Sequence, residues 1–274
     1  MRGAAHIGVL KALHEAGIRP GIISGTSAGS IVAGLYAYGY TPNELGMIAN
    51  KFARNYYDVD YPGILASLVG IFCHGSVNIS GLIKGDYLED AFFRLTKGAK
   101  LKSAKIPVSI TAVDINKTNL VVFVSDNKRL WRREDYIYLT ENTFAEAIRA
   151  SIAIPGIFRP KIINQMRLVD GGIRANLPVE ICRRMGAQKV IAVNLGYTGY
   201  PVPGVDNILE ISLQSIDIMV YQITKPSMDS ADILVLPSMN NVGHSDMSKI
   251  DYIISCGYEA TKNALPAIKK LLAT

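Results

Sequence analysis

A serine lies between two glycines near the start of the chain, within the sequence Gly25-Thr26-Ser27-Ala28-Gly29. This GxSxG pattern follows a short apolar run and precedes a helix rich in small residues, the context that exposes a nucleophilic serine on a strained turn. The N–H group of the next residue would then face an oxyanion, and the positive end of the helix would favour its charge. The pattern therefore predicts Ser27 as the nucleophile of an acyl-transfer reaction.

Two other interpretations of this turn are open at the level of the sequence. A glycine-rich turn before a helix can bind phosphate, although neither a GK[ST] sequence nor the GxGxxG spacing is present. The small residues could also serve only the close packing of a strand against a helix.

A serine nucleophile needs a base, and the sequence offers two arrangements. The order serine, acid, histidine that is typical of α/β-hydrolases is met by Ser27, Asp170 and His244. That fold has several strands before the nucleophile, however, whereas at most one short strand precedes Ser27. Alternatively Asp170 acts alone, since the sequence LVDGG ends an apolar run with an acid and two glycines, so that the carboxylate can project at a strand end. The same sequence is also typical of a tight turn.

The elements that must position these residues predict an α/β protein. Helical periodicity begins almost at residue one and stops at Gly17, and Thr-x-x-Glu capping boxes at Thr41 and Thr143 predict two further helix starts. Two apolar runs joined by the sequence NKT predict a hairpin, and two short strands are predicted around Asn164. Because the strands are apolar and alternate with helices, we expect one domain over residues 1–274 with a largely parallel, helix-flanked sheet.

Composition favours a lipid surface over nucleic acid. The 274 residues are 49% hydrophobic, which is enough for one large core, and the net charge of +6 favours contact with anionic surfaces. Charged residues make up only 19% of the chain and form no long basic tail, so membrane phosphates fit at least as well as nucleic acid. We expect peripheral contact with an anionic membrane surface and no nucleic-acid partner.

Metal sites, disulfide frameworks and membrane spans are not predicted. The three cysteines are widely spaced and odd in number, and the four histidines show no metal-ligand spacing. No run reaches about 18 apolar residues, so a cytoplasmic or peripheral membrane location is expected. The apolar run at residues 61–73 is too short to span a bilayer, and we interpret it as a buried segment or a flap that touches lipid.

Several stretches together resemble the patatin-like phospholipase family. They are RGAAHIGVLKAL, GTSAGS, GLIKGDYLEDAF, ASIAIPGIFRP, LVDGGIRANLPVE and SKIDYIISCGYEA, which cover nearly the whole chain. The combination of GxSxG with a later DG[AG] motif, preceded by an ASxAxPxxF-like segment, is specific. The resemblance implies a three-layer α/β/α sandwich and a Ser-Asp dyad without histidine, metal or cofactor. It makes Ser27 the nucleophile and Asp170, within Asp170-Gly171-Gly172, its base.

The activity implied by the resemblance is hydrolysis of fatty-acyl esters of phospholipids or lysophospholipids through an acyl-enzyme on Ser27. Family members carry a strand and a glycine-rich oxyanion loop, GGGx[RK]G, directly before the first helix, and only its last two residues, Arg2 and Gly3, are present. Each lost oxyanion donor typically costs about 2.7–4 kcal/mol. We therefore expect either a start set too far downstream or a shortened variant, with a central strand absent.

Two alternative functions follow from these observations. The first is a catalytically impaired patatin-like protein that retains lipid binding, because most of the oxyanion loop is missing. The second is an esterase with the triad Ser27, Asp170 and His244. Reaction with a fluorophosphonate separates an active serine from an inert one, and loss of activity in His244→Ala separates the triad from the dyad.

Overall fold

A six-stranded sheet and a two-stranded sheet, flanked by helices, form the fold in the computed structural model, which describes residues 2–55, 83–126, 130, 133–196, 206, 208–239 and 249–273. The strands are β1 Ile23–Thr26, β2 Val108–Asp114, β3 Leu120–Val124, β4 Tyr136–Leu139, β5 Lys161–Ile163, β6 Met166–Asp170, β7 Ile191–Val193 and β8 Ile233–Val235. The α-helices are α1 Ala5–Glu15, α2 Ala28–Tyr38, α3 Pro42–Asn55, α4 Asp86–Leu95, α5 Phe144–Ser151, α6 Gly172–Ala175, α7 Val179–Arg184, α8 Ile208–Asp229 and α9 Ile250–Leu272. Short 3₁₀ turns span Arg2–Ala4 and Leu101–Ser103.

One edge of β2 is shared by two strands that approach each other end to end. The strand order is β4-β3-β2-β6-β5, and β1 also pairs with β2. Strand β1 runs parallel to β2, with Thr26 opposite Thr111, whereas β6 runs antiparallel to it, with Asp170 opposite Ala112. The carboxyl ends of β1 and β6 therefore meet beside consecutive residues of β2, and the turn after β1 lies next to the end of β6.

The α/β/α architecture is confirmed, but the sheet is mixed where the sequence predicted a largely parallel one. In the six-stranded sheet, β1–β2 and β3–β4 are parallel, and β2–β3, β2–β6 and β5–β6 are antiparallel. Strands β2 and β3 and strands β5 and β6 are joined by short hairpins, which can pair only in the antiparallel sense. Asn164 and Gln165 have φ of 48° and 63°, so the second hairpin has the two positive φ values of a type I′ turn.

Residues of β2 and β3 contribute alternately to two hydrophobic cores. Ile110 and Phe123 pack with Ile148 of α5 in one core. Val113 and Val122 lie in the other core, with Ile181 of α7. Burial on both faces explains why these strands are continuously apolar in sequence rather than alternating, although they pair antiparallel.

Both predicted capping boxes are present. The N–H of Glu146 donates to Thr143 Oγ1 over 3.2 Å, and the N–H of Thr143 donates to the Glu146 carboxylate over 2.8 Å. The same reciprocal pair joins Thr41 and Glu44, at 3.3 and 2.7 Å. The first box sets the start of α5, whose last turn reaches the strand ends described above.

Some sequence predictions fall outside the described residues, namely the apolar run at residues 61–73 and the histidine at position 244. Within the described parts of the chain, no helix is both long and apolar enough to cross a bilayer.

Candidate active site

Ser27 occupies the sharp turn between β1 and α2. Its φ of 52° and ψ of −130° place a non-glycine residue in the left-handed half of conformational space, which costs about 1–3 kcal/mol. Such strain at a serine between a strand and a helix is what the GxSxG pattern predicts. A Cβ atom at Gly25 would lie 2.5 Å from the carbonyl oxygen of Gly29 and 2.8 Å from Cβ of Ala33. The first glycine of the motif is therefore required because the strand and the helix approach each other too closely for any side chain.

Asp170, the last residue of β6, lies beside Ser27. The Ser27 hydroxyl is close enough to the carboxyl group to act on its pKa as a hydrogen-bond donor, and Oδ1 accepts the N–H of Gly172 over 2.8 Å. Only 5% of Asp170 is exposed, and this burial raises its pKa from 3.8 to about 6, although the hydrogen bonds from Ser27 and Gly172 act to lower it. The carboxylate is thus ionised at neutral pH with a pKa close to the ambient pH, which suits a general base.

A chain of buried hydroxyl groups fixes the end of β1 relative to the turn that follows Asp170. Thr26 Oγ1 donates to the carbonyl of Ala175 in α6 over 2.6 Å. Since that hydroxyl has a single hydrogen, the 2.7 Å contact between Thr26 Oγ1 and Thr111 Oγ1 must be donated by Thr111. A Cβ atom at Gly171 would lie 2.4 Å from Thr111 Oγ1, so the glycine after the aspartate allows this close approach. Thr111 of β2 therefore contacts both the GxSxG turn, at Thr26, and the Asp-Gly-Gly turn, at Gly171.

The predicted oxyanion residues Gly3 and Ala28 also lie together. Gly3, in the 3₁₀ turn that also contains Arg2, packs against the first residue of α2, because a Cβ atom there would lie 2.5 Å from Cβ of Ala28. The N–H of Ala28 belongs to the first turn of α2, where backbone donors have no partner within the helix. This end of α2 can therefore present a donor and a positive potential beside Ser27.

Two contacts to the predicted site residues Ser27 and Gly3, made by Ser151 and His6, were not predicted from the sequence. The fully buried Ser151 accepts the N–H of Ser27 on its Oγ atom over 2.9 Å. His6 Nδ1 donates to the carbonyl of Gly3 over 3.0 Å, and burial lowers the pKa of this imidazole. Ser151 lies in the ASxAxPxxF-like segment, so the motif was visible, but nothing local to that segment indicates a contact with Ser27.

In the described parts of the chain, no group of three or more histidine, cysteine or acidic residues could hold a metal ion. The structure brings Ser27, Asp170 and the glycines of both motifs together, whereas the third member of the alternative triad lies outside the described residues.

The sandwich and the serine–carboxylate pair define a class of α/β protein in which a serine on a strand–helix turn has an acid as its direct partner. The family model for patatin-like phospholipases matches residues 1–183, more than half of the sequence, and the chain belongs to that family. It is therefore a member of a family of ester hydrolases, as the motifs predicted.

Two relatives of the chain are named as a lysophospholipase and as a patatin-like phospholipase domain-containing protein. The chain is 27% identical over 290 residues to "Lysophospholipase NTE1" of Meyerozyma guilliermondii, an alignment that covers 94% of the chain and 18% of that protein. It is 28% identical over 197 residues to human "Patatin-like phospholipase domain-containing protein 6", covering 71% of the chain and 12% of that protein. The chain thus spans less than a fifth of the length of these relatives.

Among solved structures, VipD from Legionella pneumophila has a similar fold. It superposes with a TM-score of 0.50 at 15% identity, over 97% of this chain and 65% of that chain. At this identity the likeness supports the fold alone.

Proposed function

We propose that the protein hydrolyses fatty-acyl esters of lysophospholipids or phospholipids, with Ser27 as nucleophile and Asp170 as general base. The observation that carries the proposal is that the ends of β1 and β6 converge on β2, so that the Ser27 side chain lies beside the buried carboxyl group of Asp170 and opposes the burial-driven rise in its pKa. The lipid class is supported by the family and by relatives named lysophospholipase. The net charge of +6 suits contact with anionic headgroups at a membrane surface.

The first half-reaction forms an acyl-enzyme. Asp170 takes the proton of the Ser27 hydroxyl while Oγ forms a bond to the ester carbonyl carbon, and the carbonyl π electrons move to oxygen. The N–H of Ala28 and the positive end of α2 stabilise this oxyanion. When the tetrahedral intermediate collapses, the bond to the alcohol oxygen breaks, and the alcohol leaves with the proton held by Asp170.

The second half-reaction uses the same groups on water. Asp170 removes a proton from water as the water oxygen attacks the acyl carbon, and a second oxyanion forms at the same position. Its collapse breaks the bond to Ser27 Oγ, which recovers a proton from Asp170. The fatty acid is released, and the free enzyme is restored.

The proximity of Ser27 to Asp170 favours this dyad over the triad with His244. In a serine–histidine–aspartate triad the imidazole lies between the hydroxyl and the carboxylate. The action of the Ser27 hydroxyl on the Asp170 carboxyl group itself supports a dyad in which the acid is the direct base.

A fluorophosphonate probe and lysophosphatidylcholine hydrolysis test the nucleophile. The parent is expected to be labelled and to release fatty acid, whereas Ser27→Ala is expected to do neither, since the attacking oxygen is gone. Ser24→Ala is the matched control, because Ser24 lies on β1 and its Oγ bonds to Ser109 Oγ rather than to the site. Undiminished hydrolysis by Ser27→Ala would contradict the proposal.

The activity is expected to fall below about pH 6. The base must be deprotonated, and burial holds the pKa of Asp170 at about 6, so kcat/KM should drop about tenfold per pH unit below that value. An imidazole could produce a similar limb, but the pKa of imidazole falls on warming, whereas that of a carboxylic acid hardly changes. A limb measured at two temperatures that shifts strongly would assign the base to a histidine instead of Asp170.

A further inference from the structure

The last turn of α5 and the residues after it hold both members of the dyad through backbone hydrogen bonds. Ser151 Oγ accepts the N–H of Ser27 over 2.9 Å. Two residues further on, the carbonyl of Ala153 accepts the N–H of Asp170, also over 2.9 Å. Residues 151–153 thus bond to the backbone N–H groups of both Ser27 and Asp170. Because one short segment contacts both residues, its position contributes, together with β2, to the separation between the hydroxyl and the carboxylate.

The two backbone polar groups of Ser27 are held unequally. Its carbonyl accepts two hydrogen bonds, one from Ser30 Oγ over 2.6 Å and one from the N–H of Ser30 over 2.8 Å. Its N–H donates to Ser151 Oγ. Removing the Ser30 hydroxyl leaves the carbonyl bonded, whereas removing the Ser151 hydroxyl leaves the N–H without that acceptor.

The unequal support matters because the backbone of Ser27 is strained. A positive φ at a non-glycine residue persists only where the surroundings hold it in place. Without Ser151 Oγ, the N–H of Ser27 loses the acceptor that helps to hold this positive φ, and a small rotation about the N–Cα bond would move the hydroxyl away from Asp170.

We propose that Ser151 is a positioning residue, which holds the strained backbone of Ser27 so that its hydroxyl stays in line with Asp170. The assignment rests on the proposed function of that pair. Since Ser151 is fully buried, it is expected to act through the nucleophile and not on the substrate. Since a displacement of about 1 Å in a catalytic group can cost about 100-fold in rate, the acylation step should be sensitive to this hydroxyl, while substrate binding should not.

The test compares two fully buried serines that each bond to the backbone of Ser27, in the variants Ser151→Ala and Ser30→Ala. The second-order rate constant for fluorophosphonate labelling is measured, together with kcat and KM for a nitrophenyl ester. Ser151→Ala is expected to lower the labelling rate and kcat by about 10- to 100-fold, with KM within twofold of the parent. Ser30→Ala is expected to stay within about threefold, because the N–H of Ser30 still donates to the same carbonyl.

Thermal unfolding of each variant separates positioning from folding. A merely structural role of Ser151 would lower the midpoint and leave kcat of the folded protein unchanged. If Ser151→Ala does not fold, Ser151→Cys retains a side chain of similar shape with a weaker sulfur acceptor, and its kcat should fall below the parent at unchanged KM.

The outcomes distinguish the two levels of the proposal. If the parent is labelled at Ser27 and folded Ser151→Ala is labelled equally fast, the positioning role is wrong and the dyad stands. If Ser30→Ala lowers the labelling rate and kcat as much as Ser151→Ala does, the claim that Ser27 depends more on Ser151 than on Ser30 is wrong. If the parent is not labelled at Ser27, the proposed function itself fails, and the role of Ser151 fails with it.

Discussion

An Asp170→Asn variant is expected to lose about 10³-fold in kcat and, at pH 8, to be more stable than the parent. The loss of rate follows because an amide cannot take the proton of Ser27, and general base catalysis contributes about 10²–10⁴-fold. The variant should still fold around the same contacts, since the amide oxygen can accept the N–H of Gly172 as Oδ1 does. Fatty-acid release from lysophosphatidylcholine measures the rate.

The gain in stability follows from the raised pKa of Asp170. The native state holds the proton up to about pH 6, whereas the unfolded chain releases it near pH 3.8, so the parent loses stability as the pH rises through this window. Two pKa units correspond to about 3 kcal/mol. The asparagine side chain carries no charge at either pH. The free energy of unfolding of Asp170→Asn minus that of the parent should therefore be larger at pH 8 than at pH 4, by up to about 3 kcal/mol.

Denaturant unfolding at pH 4, 6 and 8 measures this difference. Asp114→Asn is the control, because Asp114 is a buried aspartate at the end of β2 that accepts the N–H of Asn116 and does not contact the dyad. It is expected to keep the parental rate. If Asp170→Asn retains activity, Asp170 is not the general base. If its stability relative to the parent is the same at all three pH values, the pKa of Asp170 is not raised by burial.

Replacing Gly257 with alanine is expected to destabilise the protein by about 2 kcal/mol. Helices α1 and α9 touch through their backbones, since a Cβ atom at Gly257 would lie 1.9 Å from the carbonyl oxygen of Ala5. A Cβ atom at Gly8 would likewise lie 1.9 Å from the carbonyl oxygen of Ile254. The added methyl group must push the helices apart, and overpacking of this kind costs about 1–3 kcal/mol or more. The strain should exceed the gain of about 1 kcal/mol that alanine brings to a helix interior.

Gly46→Ala is the matched control for this prediction. Gly46 lies inside α3 and faces the same helix, but its Cβ atom would lie 4.0 Å from Cδ1 of Ile254, which is ordinary contact. The control should be stabilised by about 0.5–1 kcal/mol through helix propensity alone. Urea unfolding compares the two, and equal midpoints for Gly257→Ala and the parent would show that the helices separate without cost. Since α1 follows the turn that places Gly3 against Ala28, the Gly257 variant should also lose activity.

Most of the local structure could be predicted because it depends on residues a few positions apart. The strained turn at Ser27 follows from small residues around a serine between a strand and a helix, and the capping boxes at Thr41 and Thr143 from side chains three residues apart. The turn at Asn164 was predicted for the same reason. The direction of strand pairing was harder to predict, since a continuous apolar run has the same appearance in a parallel sheet and in an antiparallel sheet buried on both faces. For this reason the sequence predicted a largely parallel sheet, whereas the observed sheet is mixed.

The motifs alone were enough to predict the candidate catalytic residues, Ser27 in its GxSxG turn and Asp170 before two glycines. Their proximity in space could be seen only in the folded chain. Strands β1 and β6 are far apart in the chain, and they converge because both pair with one edge of β2. The contact of Ser151 with the N–H of Ser27 likewise depends on how α5 packs against the sheet. Such long-range pairing is set by the complementarity of whole surfaces, which no short pattern of residues contains.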